Sequence, residues 1–349
     1  MRKRLVILVI AVAVAAAGYA GFWFHTAGTL KDGIGRWAAA QRGAGWTVEW
    51  QDLAIGGFPF GYDATFTGPR YGRTGALGWT WEGERLTAAL PLLGGDRVPL
   101  ALPAASRILY RDGAADAVAT INASAAAGEV RLAPDGTADR VSLFLADPRV
   151  EAGGAAYGAR RLSIGVVAPE AAAPEAAAPA DPRSPHAGPG VVATVEQLML
   201  PAAARAPLGR EIAHLDVEAQ VLGQAPAAPL RQAAAAWRDG GGTLELRRLA
   251  LHWGNLQLVA DGTVALDRDM QPMGAATARI AGFNETIDAL AANGAVNMRD
   301  AGTAKAALSM MARPAPDTGR PEIRVPLNVQ QSQLFLGPFP LLRVPRIEW

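Results

Sequence analysis

Apolar and polar positions along this chain change their period twice. Residues 5–24 (LVILVIAVAVAAAGYAGFWF) form an unbroken apolar run directly behind Arg2, Lys3 and Arg4. About twenty residues rising about 1.5 Å each cross the roughly 30 Å hydrocarbon layer of a bilayer, so the run predicts a transmembrane helix. Leu5, Ile10 and Val14 lie within it. Tyr19, Phe22, Trp23 and Phe24 gather at its end, where an interfacial aromatic belt sits. A cleaved signal peptide is the competing reading, with Gly18-Tyr19-Ala20 as a weak processing site. The long apolar core and the aromatic cluster favour an uncleaved anchor. Leu30, Ile34 and Trp37 then recur at i, i+4 and i+7, which predicts a short juxtamembrane amphipathic helix over 25–45, ending near Gly43 or Gly45.

From Trp46 the period becomes two. Trp46, Val48 and Trp50 alternate with Thr47 and Glu49; Leu53 and Ile55 follow. Gly57-Phe58-Pro59-Phe60 breaks the run before Tyr62, Ala64 and Phe66 resume it, and Trp79 and Trp81 repeat the alternation. Val130-Leu132, Val141-Leu143-Leu145, Leu162-Ile164-Val166, Val191–Leu200 and Leu215-Val217-Ala219-Val221 read as further strands, apolar on one face and polar on the other. Later strands are Leu244-Leu246, Leu249-Leu251-Trp253, Leu256-Leu258, Val264-Leu266, Ile323–Val329 and Leu334-Leu336. A phase shift at Arg247-Arg248 predicts a bulge. Helices are expected over Leu230–Arg238, over Glu285–Asn293 with Asn284 as N-cap and Gly294 at C′, and around Thr303–Ala312. The low-complexity stretch Ala168–Gly190 (APEAAAPEAAAPADPRSPHAGPG) cannot bury an apolar face and is expected to be a disordered loop between two strands. The predicted organisation is a cytoplasmic tip and anchor (1–24), the juxtamembrane helix (25–45) and one β-rich domain (46–349). The fold class is mainly β: an N-terminal transmembrane helix, then an elongated, curved, largely antiparallel sheet with a few short helices.

Composition narrows the functions. The formal net charge is +1, which argues against a nucleic-acid partner. The chain has no cysteine, which excludes disulfides, thiolate catalysis and Cys-ligated zinc. The basic cluster ahead of the apolar run predicts a cytoplasmic N-terminus, with everything after Phe24 across the membrane. In a bacterium that is a single-pass inner-membrane protein with a periplasmic body.

Leu249–Gly274 (LALHWGNLQLVADGTVALDRDMQPMG) resembles a repeated theme of the AsmA-like periplasmic proteins: a strand ending in Trp-Gly, a second with an Ala-x-Gly step, and a third leading to a polar hairpin. The helix pair after it and the segment Val325–Pro340 fit the same layout. The N-terminal half resembles the bacterial domain-of-unknown-function family 2125, through the anchor, Trp37, the strand Gly45–Trp50 and the Gly57-Phe58-Pro59-Phe60 step. The resemblance covers most of the chain outside the 168–190 loop. That family brings no catalytic residues. AsmA-like kinship implies an elongated curved sheet with an apolar inner face, and larger members of that group are thought to conduct lipids between membranes.

Candidate chemistry is sparse. Gly33-Ile34-Gly35-Arg36-Trp37-Ala38 matches a dinucleotide fingerprint, but a membrane span precedes it where a strand is needed. Asp267-Arg268-Asp269 with Gln271 lacks the glycine and closing glutamate of a calcium loop and reads as a hairpin tip. His25, His186, His214 and His252 form no ligand pair, and Glu82 and Glu84 share a solvated strand face. No metal, cofactor or enzymatic activity is expected. Trp46, Trp50, Trp79 and Trp81, with Leu256, Leu258, Val264 and Leu266, are candidates to line an apolar groove; filling a core is the other role open to them. The expected function is non-covalent binding or handling of phospholipid or another envelope lipid, with the inner membrane as partner. The alternative is an envelope scaffold or interaction module that carries no lipid.

Overall fold

The computed structural model describes residues 2–73, 78–91, 95–112, 115–169, 187–224, 230–315, 319–336, 339–344 and 346–347. Helix α1 (Arg2–Gly43) is a single element of 42 residues, so the anchor and the amphipathic helix are continuous rather than separate. Nothing in the sequence stops a helix near residue 25. The hydroxyls of Thr26 and Thr29 donate back to the carbonyls of Phe22 and His25, which keeps these polar groups satisfied within the helix. At about 1.5 Å per residue α1 is about 63 Å long, roughly twice the hydrocarbon layer.

Seven strands follow, each interrupted once. They are β1 (Trp46–Glu49) with β2 (Asp52–Gly56), β3 (Gly61–Thr67) with β4 (Arg70–Arg73), β5 (Trp79–Gly83) with β6 (Arg85–Pro91), and β7 (Arg97–Ala101) with β8 (Ala105–Asp112). Then come β9 (Ala115–Asn122) with β10 (Ala125–Leu132), β11 (Ala138–Ala146) with β12 (Arg149–Ala152), and β13 (Ala155–Gly158) with β14 (Arg161–Val167). Three of the seven interruptions, in β3/β4, β7/β8 and β11/β12, have a local cause. Pro69, Pro103 and Pro148 cannot donate to a ladder, while Gly68 (φ 58°) and Asp147 (φ 44°) take left-handed conformations that bend the strand. Hydrogen bonds still cross the bend, from Gly68 N to Glu84 O at 2.8 Å and from Asp147 N to Arg160 O at 2.9 Å.

The remaining strands are longer at first: β15 (Ala187–Met199), β16 (Glu211–Leu222), β17 (Thr243–Trp253), β18 (Leu256–Leu266), β19 (Pro272–Ala281), the short β20 (Arg313–Pro314), β21 (Pro321–Gln330), β22 (Gln333–Leu336) and β23 (Phe339–Arg343). Helix α2 (Leu230–Asp239) lies between β16 and β17; α3 (Phe283–Ala292) and α4 (Met298–Met311) follow β19. All pairings are antiparallel and join the strands into one open sheet. If each interrupted pair is taken as one strand, every strand except the two-residue β20 lies beside its sequence neighbours, so the chain is one long meander.

Several details differ from expectation. Leu256-Leu258 and Val264-Leu266 belong to one strand, because Val259–Thr263 pairs throughout with β19. The bulge at Arg247-Arg248 is present as a register shift against both β16 and β18. Helix α3 is capped by Gly282 (φ 69°), one residue before its first turn, and not by Asn284, which sits inside that turn. Helix α4 starts earlier than expected because the Asn297 side chain caps it, accepting from Asp300 N at 2.9 Å. Ala187–Gly190 opens β15 instead of closing the Ala/Pro loop. The rest of that loop, 170–186, lies outside the described residues, apart from Ala168 and Pro169, which follow β14.

Burial is concentrated at the two ends of the meander. Trp23 and Ala27 of α1 pack on Tyr62, with Leu30, Ile55 and Leu90 around them. At the far end Ala260, Ala278, Phe283, Ile323 and Val325 form the larger cluster, with Leu308 of α4 packed against it. Among the described residues, Ile323 is the one large side chain that is fully buried.

Candidate functional site

Directly opposed residues of an antiparallel ladder project from the same face of a sheet. Following the register strand by strand therefore traces one face across the molecule. The line begins at Ile55 on β2 and runs through Ala64, Ala88, Leu100, Gly128 and Leu143 to Ile164 on β14. It continues through Ala193, Val217, Leu249, Ala260 and Ala278 to Val325 on β21. No polar residue interrupts it over thirteen strands. With strands about 4.8 Å apart, it extends about 58 Å. A flanking row, Ala126, Leu145, Leu162, Val195, Leu215, Leu251, Leu258, Ile280 and Ile323, is apolar throughout. On the other flank stand Val130, Val141, Val166, Val191, Ala219 and Leu246.

The opposite face is mostly polar, although Phe144 and Val192 stand on it, 37% and 39% exposed. Thr65 and Thr87 share a hydrogen bond of 3.1 Å, and Thr194 donates to Asp216 at 3.0 Å, which also pairs with Arg248 at 3.2 Å. On β1, β4, β5 and β8 the outward row Glu49, Arg70, Glu82 and Arg107 alternates in sign, with Glu82 3.0 Å from both arginines.

Among the described residues, α1 and the α3–α4 pair cover the apolar face at its two ends, while α2 sits at the turn between β16 and β17, where Trp237 Nε1 donates to Leu222 O at 2.8 Å. Helix α1 lies over Ile55, Tyr62 and Leu90, and α3 with α4 lies over Ala260, Ala278 and Ile323. Between them Val141, Val166 and Val191 stand side by side on β11, β14 and β15, exposed by 44%, 43% and 38%. An exposed apolar patch of this kind marks an interaction or ligand surface more often than a solvated one.

The positions singled out from sequence divide into two groups at opposite ends. Trp46, Trp79 and Trp81 share a face with Tyr71, which stacks on Trp46 at 5.3 Å and meets Trp79 edge-on at 6.1 Å. Burial between these rings pushes the Tyr71 hydroxyl above its ordinary pKa. Trp50 sits at the bend between β1 and β2, against Phe66. Leu256, Leu258, Val264 and Leu266 all lie on the apolar face of β18, and Leu258 is packed against the cluster that includes Phe283 of α3. The structure does not join these leucines to the tryptophans. Of the anchor positions, Ile10, Val14, Phe22 and Phe24 are exposed, Leu5 lies in α1, and Tyr19 and Trp23 turn onto β3. The sequence placed Trp23 in an interfacial aromatic belt and did not show its contact with β3. Its buried position was legible in the four-residue spacing of Tyr19, Trp23 and Ala27, which extends the Leu30 and Ile34 stripe toward the N-terminus.

The titratable groups offer little chemistry. The Arg131 guanidinium grips both oxygens of Asp139 at 2.8 to 3.0 Å and holds its carboxyl below the usual carboxylate range. Thr137 does the same for Asp135 through its hydroxyl and backbone N–H. His214 and His252 are 6.1 Å apart on β16 and β17, with no third ligand. Among the described residues no group of three or more His, Asp or Glu side chains comes together to hold a metal ion.

An amphipathic open sheet carried on a long N-terminal apolar helix defines the class of this protein. Residues 23–345 match the family described as an uncharacterized protein conserved in bacteria (DUF2125), and the chain belongs to that family. No curated protein and no solved structure matches it.

Proposed function

We propose that this protein binds envelope lipid non-covalently on the open middle of its apolar face. The observation that carries the reading is the unbroken ladder from Ile55 to Val325, uncovered where Val141, Val166 and Val191 stand exposed. An acyl chain laid there leaves water at about 0.8 kcal/mol per buried methylene. A polar headgroup remains at the sheet margin, near hydrogen-bonding side chains. In this reading α1 is a single-pass anchor in the inner membrane, with Arg2, Lys3 and Arg4 on the cytoplasmic side and the sheet in the periplasm. The protein acts by binding and not by catalysis. Resemblance of Leu249–Gly274 to AsmA-like proteins agrees with this role.

Val191 and Val192 provide the test. They are neighbours on β15 with nearly equal exposure, 38% and 39%, but face opposite sides of the sheet. A photoreactive benzoylphenylalanine placed at either position and irradiated in bacterial membranes should give a lipid-mass adduct at 191 and none at 192. No adduct at 191, or equal adducts at both, overturns the reading. A protein adduct confined to 191 supports the lipid-free scaffold instead.

A further inference from the structure

The hairpin turn between β2 and β3 carries two exposed aromatic rings. Phe58 is 50% exposed and Phe60 87%, in a turn closed by hydrogen bonds from Phe60 N and Gly61 N to Gly57 O, each 3.0 Å. A phenylalanine held almost wholly in water at a turn tip gains nothing from folding.

The turn is fastened to α1 at a defined height. The Tyr19 hydroxyl donates to Pro59 O, and Trp23 Nε1 donates to Gly61 O at 2.9 Å. Phe58 packs against Trp23 at 5.4 Å and stacks with Phe24 at 6.0 Å. All three α1 residues lie in the last turns of the apolar run that ends at Phe24. The run cannot span the bilayer without them, since residues 5–18 alone rise about 21 Å against a hydrocarbon layer of roughly 30 Å. Tyr19 therefore lies about 7 Å inside the end of the span, and the hairpin fastened to it lies at the same depth.

We infer that the Gly57–Phe60 turn is embedded in the bilayer leaflet from which α1 emerges. Phe58, Phe60, Phe22 and Phe24 form its lipid-facing surface. The inference rests on the reading of α1 as an anchor and adds to the proposed function. The same hairpin carries Ile55 and Tyr62, so it sets the first rungs of the apolar ladder against the membrane. A lipid leaving the leaflet meets the ladder without first crossing water.

The chain has no cysteine, so one introduced residue gives one label. The full chain would be made as Phe60→Cys, Val14→Cys and Thr137→Cys, each coupled to an environment-sensitive NBD dye. The three are reconstituted in vesicles of phosphatidylethanolamine and phosphatidylglycerol. Thr137 lies exposed in the turn between β10 and β11, and Val14 is exposed on α1 within the apolar run. The label at 60 should be quenched by spin-labelled lipid and resist aqueous iodide several-fold better than the label at 137, as the label at 14 does. If 14 is protected but 60 is quenched by iodide as readily as 137, the anchor stands and the embedded turn is overturned. If 14 is also open to iodide, the anchor reading fails, and this inference fails with it.

Discussion

A charge at Val166 separates an open apolar face from a packed core. Val166 stands midway between Val141 and Val191 on the exposed row and has no cation facing it from either neighbour. Full burial of a valine stabilises by roughly 1.5–3 kcal/mol, and at 43% exposure Val166 realises a little over half of that. Val166→Glu therefore loses about 1–2 kcal/mol of burial and up to about 1 kcal/mol of strand preference, while its carboxylate still reaches water. With an unfolding entropy of about 2.1 cal/mol/K per residue, a body of about 300 residues should melt about 2–5 °C lower.

Ile323→Glu is the comparison. Ile323 is 1% exposed beneath α3 and α4. An unpaired ionised group there costs several kcal/mol beyond the lost burial, enough to lower the melting temperature by about 10 °C or more. Calorimetry of both variants in vesicles gives the melting temperatures. The lipid adduct at position 191, directly opposite 166, gives the occupancy. Val166→Glu should melt nearly normally and lose most of the adduct. If it melts as low as Ile323→Glu, the row is packed. If it keeps the full adduct, acyl chains do not lie there. Either result refutes the open groove.

Two further predictions concern polar groups. The Tyr62 hydroxyl is buried between α1 and β3 with no hydrogen-bond partner among the described residues, so Tyr62→Phe removes an unmet desolvation cost of about 1–3 kcal/mol and should raise the melting temperature; a fall would show that the hydroxyl has a partner. Because Arg131 lowers the folded-state pKa of Asp139, this pair stabilises above the unfolded pKa and loses its effect as pH falls through the lower folded value. Asp139→Asn should therefore melt below the parent near pH 7, and the gap should close below about pH 4, which parallel melts across that range would check.

Strands with β-branched and leucine-rich faces, such as Val141–Leu145, Leu162–Val166 and Leu215–Val221, were legible because their alternation contrasts strongly with their polar neighbours. The stretch that becomes β7 to β9 and the start of β10 was not, because ADAVATIN and AAAG are rich in alanine and show little contrast between successive positions; only Val130-Leu132 at the end of β10 stood out. Their pairing is decided by neighbours already in place and not by local pattern. The open face was only half visible. Periodicity supplied the apolar positions on each strand, but which of them helices would cover depends on where α1, α3 and α4 dock. Leu258 illustrates this: by period it equals Val166, yet it lies against the cluster beneath α3. The turn at Phe58 and Phe60 read as a break in a strand, and its fastening to Tyr19 depends on a contact across forty residues.

Apart from the two-residue β20, each strand of the meander touches only the strand before and the strand after it, so the body is in effect a one-dimensional stack. In such a stack length is an independent variable. Inserting or deleting one hairpin changes the distance between the α1 end and the α3–α4 end by two strand spacings, about 9.6 Å, and leaves both ends as they were. The alternation that keeps the face apolar is preserved, because a whole hairpin restores direction and register together. The length of the sheet is thus counted in hairpins, and a gene can alter it one hairpin at a time without redesigning a core.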